Sequence, residues 1–143
     1  MFKQILIPID LTELEIAKPA LHAAVELALP SEGLMRLIAV ETLLPASFME
    51  YVPPEFDRSQ EERAMHALMA ISAGLAVPKE RISHRVRFGG IYVEILAEAE
   101  EWGADLIVIG SHRPSMATYL IGSNAKTIVR HAKCSVLVIR SVS

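Results

Sequence analysis

Cysteine is nearly absent from this chain. Cys134 stands alone in 143 residues, which excludes a disulfide framework within one chain and a cysteine-based metal cluster. Its neighbours Ser135-Val-Leu-Val-Ile make it a small, half-buried residue at a strand entrance rather than a reactive thiol. Long hydrophobic runs are missing as well. The N-terminal run Ile5 to Ile9 is closed by Asp10 and is far too short for a signal segment or a membrane span, so a cytoplasmic protein with no membrane insertion is expected. No block of Lys and Arg occurs and the formal net charge is -3, which argues against nucleic acid and anionic membrane surfaces as partners. His22, His66, His84, His112 and His131 are scattered without metal-ligand spacing, so no metal site is expected. Ser111 and His112 are adjacent, but neighbouring side chains point apart and no orienting acid is evident, so no catalytic residue is assigned. Neither a Gly-x-Gly-x-x-Gly turn nor a Walker loop follows the first strand, which instead continues Pro8-Ile-Asp10-Leu-Thr.

What the chain does have is a hydrophobic share of 52% with mixed charges, the balance of a globular protein. Residues 1–143 read as one domain, long enough to bury a core without disulfides or metal. Ile5 to Ile9 is the first buried strand, with Pro8 near its end because it cannot donate to a ladder. Thr12 with Glu15 fits a capping box for a helix whose inward face is Ala17, Ala20, Leu21, Ala24, Val25 and Ala28, with either its regular start or a kink at Pro19. Leu34 to Val40 is the second strand. Glu41 to Asp57, with Pro45, Pro53 and Pro54, is the longest irregular segment and reads as a lid or rim. Ser59 with Glu62 can cap a helix through Leu75. Arg81 to Phe88 alternates and suits an edge strand, Ile91 to Trp102 is a helix stopped by Gly103, and Val136 to Ile139 is the last strand. Alternating β and α elements of this kind require parallel strands with helices on both faces, and a ligand site outside the strands' C-terminal ends. Asp10, Glu41, Gly89 and Gly110 all fall on that edge.

The stretch from Ala104 to His131 carries the most chemistry. Leu106 to Ile109 is a buried strand ending at Gly110; a polar loop follows; then Gly122 permits close backbone approach and Ser123 is a favoured N-cap for a helix over Asn124 to Ala132, with Ala125, Ile128, Val129 and Ala132 at helical spacing. The first amides of a helix lack partners and suit a phosphate. Lys126, not Glu or Gln, follows Ser123 by three residues, so no capping box occupies those amides. An ordinary capped helix is the other reading of the same residues.

Pro8 and Asp10 closing the first strand, Val40 closing the second, Ala104-Asp-Leu-Ile-Val-Ile-Gly-Ser111, Gly122-Ser123 and Val129-Arg-His-Ala-Lys-Cys-Ser-Val-Leu-Val-Ile together make the chain resemble the universal stress protein family over its whole length. Ser111-His-Arg-Pro, Thr118-Tyr-Leu-Ile-Gly-Ser-Asn-Ala and Arg130-His-Ala-Lys-Cys-Ser resemble the small single-domain bacterial subgroup with a Ser-His-Arg-Pro loop. The resemblance implies a Rossmann-like sheet of the adenine nucleotide alpha hydrolase type, with five parallel strands in the order 3-2-1-4-5. It also implies a homodimer joined through the last strand, Val136, Leu137, Val138 and Ile139, an apolar edge that needs a cover in any case. ATP-binding members carry glycine, two residues, glycine, nine residues, glycine, then Ser or Thr. Gly110 and Gly122-Ser123 match its ends, while Arg113 replaces the middle glycine and the loop is one residue shorter.

Carried over residue by residue, the resemblance puts Asp10 and the backbone of Pro8 and Val40 around adenine and Gly110 near the ribose. Arg113, Gly122, Ser123 and Asn124 surround the phosphates, with Ser111 and His112 alongside. An arginine cannot reproduce a glycine's backbone approach, but its guanidinium can meet phosphate oxygens. The expected function is ATP, ADP or AMP binding in a stress-response regulator that acts through conformation or an unknown protein partner. No motif fixes Mg²⁺, which stays open as a companion of the phosphates, and no carboxylate is clearly placed to orient water, so the protein is read as a sensor rather than an enzyme. A dimeric scaffold that binds no nucleotide and a slow ATP hydrolase are the alternatives.

Overall fold

The computed structural model describes residues 1–42, 56–111 and 120–140 and, for 56, 57 and 120–124, the backbone alone. Its elements run β1 (Gln4–Pro8), α1 (Leu14–Ser31), β2 (Leu34–Glu41), α2 (Phe56–Ala73), a short 3-10 turn (Lys79–Arg81), β3 (Ile82–Phe88), α3 (Ile91–Trp102), β4 (Leu106–Gly110), α4 (Leu120–His131) and β5 (Ser135–Ile139). All strand pairings are parallel and the order is β3-β2-β1-β4-β5. The strand order therefore reverses between β1 and β4, which opens a crevice beyond their C-terminal ends.

The two-residue period of the strands divides the core into two layers. Ile5, Ile7, Met35, Leu37, Leu106 and Val108 face α1 and α2, while Leu6, Ile38, Ile107 and Ile109 face Ile95 of α3 and Ile128 of α4. Burial of each such side chain stabilises the fold by about 1.5–3 kcal/mol relative to exposure. Pro8 closes β1 as expected, and the next amide, Ile9, donates to the Ile38 carbonyl at 2.8 Å. At the opposite end of the sheet the Asp105 carboxylate accepts the Lys3 amide at 2.7 Å and the Gln4 amide at 3.0 Å, fixing the start of β1 beside β4.

Three helix starts differ from the sequence reading. Thr12 does not cap α1: its amide and hydroxyl both donate to Asp10 Oδ1, at 2.9 and 2.6 Å, and Glu13 takes the cap position without a side-chain bond. A carboxylate two residues upstream outcompetes the helix for the threonine, an Asx-type turn that local sequence does not distinguish from a capping box. The helix then runs without interruption through Pro19 and Pro30. Helix α2 begins at Phe56, so Ser59 lies in its first turn rather than at its cap, and it ends at Ala73 rather than Leu75. Helix α4 begins at Leu120, so Ser123 is helical and not an N-cap, and Val129 is 54% exposed instead of inward-facing. Helices α2 and α4 thus start before the polar residue that the local pattern takes for a cap. The proposed lid within Glu41 to Asp57 lies, for residues 43–55, outside the described residues.

Candidate functional site

The β1 to β4 crevice is a cleft of about 280 Å³ at the C-terminal edge of the sheet. Pro8, Asp10, Val40 and Gly110, four residues singled out from the sequence, all line it. They come from three different strand ends, which only the strand order brings together. The floor is apolar: Ile38 and Ile109 from the sheet, Ile95 from α3, Ile128 from α4. Such a floor accepts a flat apolar group, while the rim supplies polar atoms for orientation.

Asp10 shapes the β1 rim. Its Oδ1 holds Thr12, its carbonyl accepts the Glu13 amide at 3.0 Å, and Oδ2 has no partner among the described residues. Gly110 has a steric role in the same place. A Cβ there would lie 2.6 Å from the Ile16 carbonyl oxygen, so only glycine lets the start of α1 close over the end of β4. Ser111 follows, and its amide donates to the Ile139 carbonyl at 2.7 Å, anchoring the departing chain to β5. His112 and Arg113 lie outside the described residues. Gly122, Ser123 and Asn124 are described by backbone only, within the N-terminal part of α4.

Sequence reasoning placed Glu41 on the ligand edge of the sheet without naming it a site residue, and missed Glu13 and the floor residues Ile91, Ile95 and Ala125 as lining residues. The recurrence of Ile91, Ile95, Ala99 and Trp102 at helical spacing was the available signal for the α3 residues. Glu41 is half-buried at the end of β2; its Oε2 accepts Gln60 Nε2 from α2 at 3.1 Å, and its carbonyl accepts the Gly89 amide at 3.0 Å. Among the described residues the cleft thus carries three carboxylates, Asp10, Glu13 and Glu41, and no Lys, Arg or His side chain. No three His, Cys, Asp or Glu side chains among the described residues converge as a metal ion would require. No described helix is long and apolar enough to cross a membrane.

Two polar clusters lie away from the cleft. Glu98 of α3, only 3% exposed, accepts Arg36 Nη1 at 2.6 Å, Arg87 Nε at 2.8 Å and Arg85 Nε at 3.2 Å. Burial by itself would raise its carboxyl, but hydrogen bonds from Arg87 and Arg36 outweigh that and hold it below the ordinary value. Arg87 also reaches Glu94 and Glu101, and Arg36 stacks 4.6 Å from the Trp102 ring centroid. Between α2 and β3, Ser72 Oγ lies 2.7 Å from His84 Nε2, and burial pushes the His84 pKa down. Cys134 is half-buried and burial pushes its thiol up, which keeps it in the unreactive form.

Over residues 1–140 the sequence matches the model of the universal stress protein family. The chain belongs to this family. Universal stress protein G of Escherichia coli O157:H7 and that of Shigella flexneri are each 37% identical to it, over 98% of this chain and 100% of theirs. Among solved structures, universal stress protein UspA from Lactobacillus plantarum superposes with a TM-score of 0.74 at 23% identity, covering 97% of this chain and 98% of that one. A universal stress protein in complex with cAMP gives a TM-score of 0.66 at 18% identity, covering 99% of each chain. At those identities the two structures bear on the fold alone. They share the five-stranded parallel α/β architecture, of the Rossmann-like adenine nucleotide alpha hydrolase type.

Proposed function

We propose that this universal stress protein is an adenine-nucleotide sensor, binding ATP, ADP or AMP in the switch-point cleft and acting through conformation or a protein partner. The observation that carries the reading is the gathering of Pro8, Asp10, Val40 and Gly110 around one apolar-floored cleft at the sheet's C-terminal edge. In this reading Asp10 and the backbone of Pro8 and Val40 hold adenine, and Gly110 lies beside the ribose. Arg113, Gly122, Ser123 and Asn124 take the phosphates, flanked by Ser111 and His112. The carboxylates on the β1 and β2 rim support this polarity, since phosphate is repelled there and favoured at the start of α4. Mg²⁺, where bound, would accompany the phosphates and neutralise part of their charge.

In this reading the chain is a single domain working in the cytoplasm, and the resemblance of its Ser111-His-Arg-Pro sequence supports placing it in the small bacterial subgroup with that loop. Val136, Leu137, Val138 and Ile139 are half-exposed on the outer strand β5, which supports a homodimer joined there. The acidic rim also favours a second reading, a dimeric scaffold that binds no nucleotide, if the substituted loop supplies too little positive charge.

One experiment separates the two. The purified protein is denatured, the released small molecules are identified by mass spectrometry, and the protein is titrated with ATP by calorimetry. Co-purifying adenine nucleotide or micromolar ATP binding, weakened at least about tenfold by Arg113→Ala, supports the sensor. No nucleotide and no heat at millimolar ATP leaves the scaffold.

A further inference from the structure

We propose that helix α2 leaves the sheet as a unit before the rest of the molecule unfolds, and that protonation of His84 beneath it favours the open state. Helix α2 is then a pH-sensitive latch on one face of the sheet.

Helix α2 packs chiefly on β3 and β2, and β3 is the edge strand, so no further strand supports it on the outer side. On the inner side a groove of about 520 Å³ separates Ile71 and Gly74 to Ala76 from Leu21, His22 and Val25 of α1. Among the described residues Ala64 and Leu68 are the only fully buried apolar side chains of α2, whereas α1 buries Ile16, Ala17, Ala20, Leu21, Ala24 and Ala28. A helix with so little buried apolar surface lies at the low end of local stability, where opening occurs without global unfolding. Two polar clasps complete its attachment, one towards each end of the helix. Gln60 Nε2 donates to Glu41 Oε2 at 3.1 Å, and Ser72 Oγ lies 2.7 Å from His84 Nε2.

The second clasp titrates. With α2 docked, burial lowers the His84 pKa from 6.5, and no charged neighbour contributes to the shift. The surroundings of the ring account for this. From α2 it meets the Ser72 hydroxyl, which donates to the Met69 carbonyl at 3.0 Å, and from β2 its partner in register is Leu37. Arg36 of β2 and Arg85 and Arg87 of β3 turn to the opposite face, toward Glu98. Arg58, Glu61, Glu62, Arg63 and His66 of α2 are exposed, as are Lys79 and Glu80 below β3 and Lys18, His22 and Glu26 across the groove. Arg81 reaches back to the Ala28 carbonyl at 3.4 Å. A proton on His84 is therefore uncompensated while α2 is docked and hydrated once α2 has opened. The docked state keeps its full advantage above the ordinary value of 6.5 and loses it as pH falls below that value.

Native-state hydrogen exchange of the full chain, read by mass spectrometry as protection factors at about pH 7.5 and about pH 5.5, is the test. It is run without nucleotide, so the outcome does not depend on what the cleft binds. Protection over α2 should be lower than over α1 at both pH values. Acid should reduce it by about two- to tenfold, tenfold being the ceiling that a single proton sets across this interval. His84→Gln, which cannot take up the proton, should abolish the acid dependence over α2. Gln60→Ala releases the other clasp and should lower α2 protection by about two- to tenfold at both pH values while leaving the acid dependence in place, which separates titration from mere loosening. Equal protection over α2 and α1 overturns the inference, because opening would then be global. Protection over α2 that does not change with pH overturns it, as does an acid dependence that persists in His84→Gln.

Discussion

Glu98→Gln is expected to destabilise the protein by about 3 kcal/mol. The substitution keeps the side chain's shape but removes the negative charge on which Arg36, Arg85 and Arg87 converge. Deleting one partner of a buried ion pair costs about 3–5 kcal/mol, because the remaining charge stays desolvated without compensation. The lower end applies here. Arg85 is 52% exposed and can turn to water, Arg87 retains Glu94 and Glu101, and Arg36 retains the Ser83 hydroxyl at 2.8 Å and the Trp102 ring. Urea unfolding is the assay: at a slope of about 1.5 kcal/mol/M the midpoint should fall by roughly 2 M. Glu100→Gln is the control, since its partner Lys133 is 82% exposed and the pair is worth under about 1 kcal/mol. Acid adds a second test. The Glu98 carboxyl is held below its ordinary value of 4.5, so its contribution is complete above that pH and is lost as pH falls through the depressed value. The stability gap between parent and Glu98→Gln should therefore begin to narrow as pH falls below about 4.5 and close only below the depressed value. A midpoint for Glu98→Gln no lower than that of Glu100→Gln would refute the reasoning, and would mean that the arginines find full compensation elsewhere.

Other consequences can be checked on the same material. Ile107→Ala removes a fully buried side chain from the α3 and α4 face of the central sheet and should lower stability by about 2–5 kcal/mol in urea unfolding; a loss under 1 would mean that the layer collapses into the cavity. Gly110→Ala forces the end of β4 against the Ile16 carbonyl, so thermal unfolding should show a loss of about 1–3 kcal/mol. ATP affinity should fall with it, because α1 must retreat across the cleft. His84 is kept neutral by burial, its pKa lying below 6.5, so the unfolded chain binds the proton first. Stability should decline as pH drops from about 6.5, and His84→Gln should flatten that decline; an equally steep profile in the variant would exclude His84 as its source.

Much of the scaffold was legible because its signals are local and repeated. Ile5 to Ile9, Leu37 to Val40 and Leu106 to Ile109 are apolar runs that read as buried strands in an alternating β and α chain, and all three lie in central strands or at their ends. The alternation in Ile82 to Phe88 marked an edge strand, and β3 is at the edge. Asp10 and Gly110 could be named from their positions at strand ends. The cap assignments failed for the opposite reason: the Asp10 carboxylate takes the Thr12 amide and hydroxyl, and Ser59 and Ser123 lie inside their helices rather than at their starts, which a local pattern does not weigh.

The sequence alone determined the parallel sheet, its buried strands and the polar residues that end them, because hydrophobic period and strand-end polarity act over a few residues. Tertiary structure decided which strand ends meet. Pro8, Val40 and Gly110 share a cleft only because β1 lies between β2 and β4. It also decided the fate of the charges. Glu98 falls within the inward stripe of α3 between Ile95 and Ala99, and Arg36, Arg85 and Arg87 lie on the sheet face beneath it. A carboxylate at that position is tolerable only when guanidinium groups from two other strands surround it, and their convergence is set by the register of β2 with β3 and by the packing of α3 across both.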